Sequence, residues 1–170
     1  MAILDIARMG HSILKEQASV VSSFNNNDLE NLIKNMKETM FHVGGVGLAA
    51  PQVYMPLRVV IFFVPADRND GIEVPLSVLI NPVITPETEE MDEDWEACLS
   101  VPGLNGVVPR WKKVKYTYQN IDGSLRERYA EGFHARVVQH ECDHLDGILY
   151  PMRMIDLGTL SFIGAENADE

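Results

Sequence analysis

The sequence predicts an α+β domain, and three observations carry the prediction. Two segments, one early and one late, have the apolar spacing of helices. Between them lie short β-branched runs and an alternating segment that turns on an Asp-Gly pair. No strand–helix unit repeats, which argues against a βαβ array. The first helix is predicted over Asn27–Val43, where Asn27 with Glu30 makes a capping-box pattern. Within it Leu29, Leu32, Ile33, Met36, Met40 and Val43 form one apolar stripe, and Gly44 and Gly45 end it. Arg58–Val64 and Val78–Ile84 are apolar, β-branched runs bounded by prolines and are read as strands. Lys113–Tyr118 alternates, with Val114, Tyr116 and Tyr118 facing one way, and Asp122-Gly123 turns it into Leu125–Tyr129 as a hairpin. A second helix runs from about Gly132 to Asp146 and stops at Gly147, with Pro151 just beyond.

Composition bounds what such a domain can do. The 170 residues are 46% apolar and 23% charged, which suits one soluble globular domain over 1–170 with a core of its own. The formal charge of −11 repels phosphate backbones and anionic lipid, so neither nucleic acid nor a membrane is an expected partner. No apolar stretch approaches the roughly 20 residues of a membrane span. Met1–Gln17 lacks the basic and apolar regions of a secretory signal, so a cytoplasmic location is expected. Seven acidic residues crowd Glu87–Glu96 and read as a solvated loop or edge, apart from Glu96 itself. The two cysteines, Cys98 and Cys142, read in a reducing compartment as buried thiols, ligands or nucleophiles.

The chemistry concentrates in His140-Glu141-Cys142-Asp143-His144, an H-E-x-x-H on the second predicted helix. Residues i and i+4 lie one turn apart, so two imidazoles can face one ion, with Glu141 close enough to handle the proton of a bound water. At about 100° per residue both histidines share the stripe of Phe133 and Val137, which the pattern marks as the buried face. Two inward histidines with a glutamate on the same flank are costly to bury uncompensated, and a metal compensates them. Cys142 falls on the opposite side of the helix. A catalytic site of this kind uses a third protein ligand and leaves a position for water. His11, His42, His134 and Cys98 are the candidates; Cys98 is favoured because Val101-Pro102-Gly103 lets the chain turn just after it.

Three segments together resemble the peptide deformylases, in the family's order and across about Met9 to Met154. They are Gly45-Val46-Gly47-Leu48-Ala49-Ala50-Pro51-Gln52, Glu96-Ala97-Cys98-Leu99-Ser100, and Gln139-His140-Glu141-Cys142-Asp143-His144-Leu145-Asp146-Gly147. The resemblance implies antiparallel sheets packed around a central helix that carries the two histidines. It implies Cys98, His140 and His144 as ligands of one divalent metal ion per chain, with Glu141 as general acid/base. Gln52 and the backbone N–H of Leu99 would stabilise the oxyanion, and Glu96 would pair with Arg110 to brace the loop of Cys98. Gly45, Val46, Gly47, Ala97, Arg136 and Val137 would contact substrate. The implied activity is removal of the formyl group from N-formylmethionyl peptides of newly made proteins. The resemblance favours Fe²⁺; the donor set equally suits Zn²⁺, Ni²⁺ or Co²⁺.

Three features depart from the family pattern. Ala97 stands where glycine is usual and narrows the cleft. Arg136 stands where many members carry an apolar residue, and its stem can still line a pocket. The tail from about residue 157 is short and acidic, so ribosome contact through a basic C-terminal helix is not expected. A monomer is expected. Rival readings are a metallopeptidase, a deacylase of other N-acylated amines and a non-catalytic metal-stabilised peptide binder; Cys98, the Gln52 loop and the retained Glu141 argue against them.

Overall fold

The computed structural model describes residues 2–165. Five strands, β1 (Gly47–Ala49), β2 (Val59–Val64), β3 (Val74–Pro86), β6 (Lys113–Gln119) and β7 (Leu125–Glu131), form one sheet in the order β1-β2-β3-β6-β7. Three more, β4 (Met91–Cys98), β5 (Val101–Trp111) and β8 (Ser161–Phe162), form a second sheet in the order β4-β5-β8. Every paired strand in both sheets runs antiparallel to its neighbour. The two long helices are α1 (Asn27–His42) and α2 (Gly132–Leu145). The α+β prediction therefore holds, as does the hairpin, whose strands pair from Lys113↔Glu131 to Gln119↔Leu125.

Strand β2 shows why its sequence is apolar without alternation. Val60, Phe62 and Val64 pack with Ala135, Val138, Cys142 and Leu145 of α2. Val59 and Ile61 pack with Leu29, Ile33, Met36 and Met40 of α1. The strand is covered on both faces, so every residue gains by being apolar. β3 is longer than Val78–Ile84 because its pairing with β2 and β6 carries it to Val74 and Pro86, with an irregularity between Ile80 and Val83 that accommodates Pro82.

Two local expectations need correction. The N-cap of α1 is Asn26, whose side chain accepts the Leu29 N–H at 2.9 Å, so the capping pattern sits one residue before Asn27. The stripe of Phe133, Val137, His140 and His144 is not the only buried face of α2. Ala135, Val138, Cys142 and Leu145 on its other side fill the main core, and the helix is enclosed nearly all round. The acidic run is an edge, as expected: most of it is β4, which among the described residues pairs on one side only, with β5. Cys98 is the last residue of β4, where the register with β5 shifts between Ala97 and Cys98. Gly147 ends α2 with φ at +71°, and a Cβ there would press within 2.6 Å of the Lys15 carbonyl, which excludes a larger residue twice over. Of the acidic tail, 157–165 are described and include β8, while 166–170 lie outside the described residues. Among the described residues no helix is long and apolar enough to cross a membrane.

Candidate metal centre

Cys98, His140 and His144 offer donor atoms that all lie within 4.8 Å of one another. The strand end supplies the sulfur and one turn of α2 supplies both imidazoles. Cys98 Sγ lies 3.4 Å from His144 Nε2, and His140 turns its Nδ1 to Glu96 Oε2 at 2.8 Å, leaving Nε2 for the site. Such a carboxylate behind a histidine fixes its ring and tautomer, as at many metal centres. His134 takes no part; it is buried against the Tyr116 hydroxyl at 3.0 Å. Cys142 lies on the side of α2 opposite the histidines, as the helical arithmetic placed it, and the main core covers that side too.

The electrostatics fit a cation. Burial alone would push the Cys98 thiol up, but the charge of His144 and hydrogen bonds with His140 and His144 reverse this and hold it well below the usual thiol range. Burial likewise opposes a charged His140, yet hydrogen bonds with Cys98 and Glu96 raise it well above the ordinary imidazole value. Glu96 is held far below the carboxylate range: desolvation works against its charge and the hydrogen bonds and charges of Arg110 and His140 win. Glu141 is pushed up to about 7, chiefly by burial. Its Oε2 and the Nδ1 of His144 are buried without a hydrogen-bonding partner among the described residues. A soft thiolate, two imidazoles and an unpartnered carboxylate oxygen are a donor set that a bound divalent ion and its water would complete.

A cleft of about 390 Å³ opens onto this cluster. Gly45, Val46, Gly47, Gln52, Glu96, Ala97, Cys98, Leu99, Arg136, Val137, His140 and Glu141 all line it, so twelve of the fourteen residues singled out in the sequence share one wall system. His144 sits in the ligand cluster, and Arg110 stands behind, donating to Glu96 through Nε at 2.8 Å and Nη2 at 3.0 Å. Gln52 lies in a 3₁₀ turn over Ala50–Val53. Its Oε1 accepts the Ala49 N–H at 2.8 Å, which turns Nε2 toward Ser100 Oγ at 3.1 Å and Cys98 Sγ at 3.6 Å. The amide is thus fixed with its donor end facing the thiolate. A Cβ on Gly45 would touch Leu99 Cδ1 at 3.0 Å, so the glycine loop and the turn after Cys98 face each other closely.

The match with known proteins is consistent across this whole arrangement. The polypeptide deformylase family model matches residues 3–159. The chain belongs to the peptide deformylase family. Among curated deformylases, "Peptide deformylase 1" of Nitrosomonas europaea is 50% identical over 157 residues, 91% of this chain and 89% of that one. "Peptide deformylase 2" of Pseudomonas putida is 52% identical over 166 residues, covering 94% and 92%. A class I type b deformylase from Acinetobacter baumannii, solved with Met-Ala-Ser bound, superposes with a TM-score of 0.85 at 43% identity, covering 90% of this chain and 99% of that one. The Thermotoga maritima deformylase gives 0.82 at 35% identity, covering 92% and 100%.

In this deformylase-family chain some site residues carry no sequence signal. The partners of Arg136 are one case: the residue lines the cleft, as the resemblance implied, and its guanidinium donates to Val108 O at 2.7 Å, Asp92 O at 2.8 Å and Glu96 Oε1 at 3.0 Å. Asp143, inside the H-E-x-x-H, bonds Arg110 and Arg153. Ser100 holds Gln52, and its position two residues after Cys98 is the one available hint. Arg68 stacks its guanidinium over the Phe133 ring at 3.9 Å, forming part of the cleft wall. Ile163 reaches the rim because its N–H bonds Gly103 O at 2.9 Å beside β8. Nothing local in the tail announces that placement.

Proposed function

We propose that this chain hydrolyses the N-formyl group of N-formylmethionyl peptides at the start of newly made proteins, releasing formate. The observation that carries the reading is the Cys98–His140–His144 donor cluster, with Glu141 and the Gln52 amide at the same cleft. One divalent ion held by those three residues, Fe²⁺ in the cell, would polarise the formyl oxygen and supply a water nucleophile at neutral pH.

The chain's own groups divide the remaining work. Glu141, with a carboxyl near 7, accepts the proton of the attacking water and delivers it to the departing amine. Gln52 Nε2 and the Leu99 N–H donate to the oxygen as negative charge builds on it; losing one such donor typically costs about 10²–10³ in rate. Val46, Val137, Phe133 and the stem of Arg136 hold the methionine side chain, while Gly45 and Ala97 let the peptide backbone lie close to the loop walls. Glu96, anchored by Arg110, keeps His140 in one tautomer.

We read the chain as a single catalytic domain built around α2, acting as a monomer in the cytoplasm on nascent chains. The test is formate release from an N-formylmethionyl tripeptide by protein loaded anaerobically with Fe²⁺. Rapid release by the parent, and its loss in Glu141→Ala with metal content retained, is the expected result. Metal content falling in parallel with turnover in Glu141→Ala would remove the acid/base assignment.

A further inference from the structure

The three donor side chains come from two separate pieces of the fold. Cys98 ends β4, whereas His140 and His144 belong to α2. Their separation depends on how that strand docks on that helix. A ligand set spread over two elements needs something that fixes the docking to a fraction of an ångström, because metal–ligand distances tolerate little more.

We propose that Arg136 is a positioning residue for the metal centre, locking the ligand-bearing strand to the ligand-bearing helix and acting on His140 through Glu96. Arg136 lies on α2 one turn before His140. Its guanidinium crosses to the second sheet and donates to the carbonyls of Asp92 on β4, at 2.8 Å, and Val108 on β5, at 2.7 Å. It also donates to Glu96 Oε1 at 3.0 Å, two residues before Cys98. The same Oε1 takes Arg110 Nε at 2.8 Å, while Oε2 takes Arg110 Nη2 at 3.0 Å and His140 Nδ1 at 2.8 Å. Arg110 already grips the carboxylate through both oxygens but is shared with Asp143, which Arg153 also holds. Arg136 supplies a second donor to Oε1 and is itself tied to two strand carbonyls that cannot rotate away.

The burial is consistent with bracing by the guanidinium, while the stem faces the cleft. Arg136 is only 4% exposed and its donors are committed to fixed acceptors, with Asp92 Oδ2 at 3.7 Å adding a rim charge. A guanidinium with this many fixed acceptors carries the geometric information that an apolar side chain of similar volume cannot. Glu96 would remain paired with Arg110 without it, so the fold does not depend on Arg136 for charge compensation alone.

The inference rests on the proposed metal site, and its test reads metal binding directly. Arg136→Leu keeps much of the stem and removes the brace; Arg136→Lys keeps charge and donors without the fork. The measurements are Zn²⁺ dissociation constants by chelator competition, the thiolate charge-transfer band of the Co²⁺-loaded protein, kcat and KM for formate release, and the thermal midpoint. Arg136→Leu is expected to bind Zn²⁺ about 10–100-fold more weakly, to shift the Co²⁺ band and to lower kcat. Arg136→Lys is expected to fall between that variant and the parent. An Arg136→Leu protein with parental Zn²⁺ affinity and Co²⁺ band overturns the proposal: a changed KM would then make Arg136 a cleft wall, and a lowered midpoint alone would make it a fold contact. Should that variant not fold, Arg136→Gln carries the same measurements. Failure of the parent to release formate would strike the proposed reaction and leave the metal-binding comparison standing.

Discussion

Gly47 offers the sharpest test of how tightly Glu141, the proposed acid/base, is held. The residue lies in β1, pairs with Phe62 of β2, and has a backbone conformation that alanine can adopt. What alanine lacks there is room. A Cβ on Gly47 would run into Glu141 Oε1 and come within 2.5 Å of Cδ and 2.9 Å of Cγ. Carbon atoms in contact sit about 3.5–4.0 Å apart, so the carboxyl group must move by roughly 1 Å. The obstacle is the end of a flexible side chain, so β1 keeps its place and Glu141 gives way. A displacement of about 1 Å at a reacting group can cost about 10²-fold in rate, whereas Gly→Ala at a compatible backbone position changes stability by about 1 kcal/mol or less. In Gly47→Ala, therefore, kcat/KM for an N-formylmethionyl tripeptide should drop about 10²-fold, with metal content and thermal midpoint close to the parent. Formate release, elemental analysis and a thermal melt on one preparation decide it. Activity within about threefold of the parent would refute the claim that the glycine is the seat of the carboxylate.

Three further outcomes follow from features of the fold. His134 is buried beside Tyr116, and burial, helped by the charge of Arg128, lowers it to about 4 against 6.5 unfolded. The unfolded chain thus binds the extra proton, so this contribution is complete above about pH 6.5 and shrinks as pH falls toward 4; between pH 7 and 5 about 1–2 kcal/mol should vanish, and urea titrations should show a shallower loss in His134→Gln. The two thiols should part company toward iodoacetamide: Cys98 is held low at the cleft, while Cys142 is pushed well up by burial in the core. Metal-free folded protein should take one label, at Cys98 by peptide mapping, and metal-loaded protein none; two labels in the folded state would contradict the packing of Cys142. Ile163→Asp, at the rim, should raise KM several-fold for N-formylmethionyl tripeptides while leaving N-formylmethionine itself little changed, and equal effects on both would remove Ile163 from the cleft wall.

The parts of the fold legible in the sequence are those where local pattern and tertiary burial agree. β2 reads as a strand because both of its faces need apolar residues, and the β6–β7 hairpin reads because Asp122-Gly123 supplies the turn. β5 does not read. Its Val101–Trp111 carries Pro102, Gly103, Gly106 and Pro109, poor strand formers, and it exists because β4 pairs along its length. Gly106 is there for packing: a Cβ would come within 2.6 Å of Met154 Cε. The helix start at Asn27 read correctly, but its cap slipped by one because Asn25, Asn26 and Asn27 are chemically equivalent caps, and only backbone geometry picks Asn26. In the site, the H-E-x-x-H is a one-turn pattern that spacing alone can find. Gln52 and Cys98 stand 46 positions apart in sequence and meet through tertiary structure, so their pairing was reachable through the family resemblance rather than periodicity. The resemblance named Arg136 as a substrate contact, but only the crossing to Asp92 and Val108 shows where its charge goes.

The enclosure of α2 bears on how an inhibitor of this cleft would fare under selection. From Phe133 to Leu145 no residue is exposed, because one side of the helix faces the cleft and the other fills the core. A replacement on this helix that weakened a drug's grip would at the same time disturb packing, the ligand pair or the buried ion-pair cluster. Escape would come more readily from the exposed rim, at Gly44, Arg68, Trp95, Ala97, Pro102, Gly103 or Ile163. A compound that takes its affinity from Val137 and the α2 side of the cleft, and ignores that rim, leaves the organism few viable substitutions.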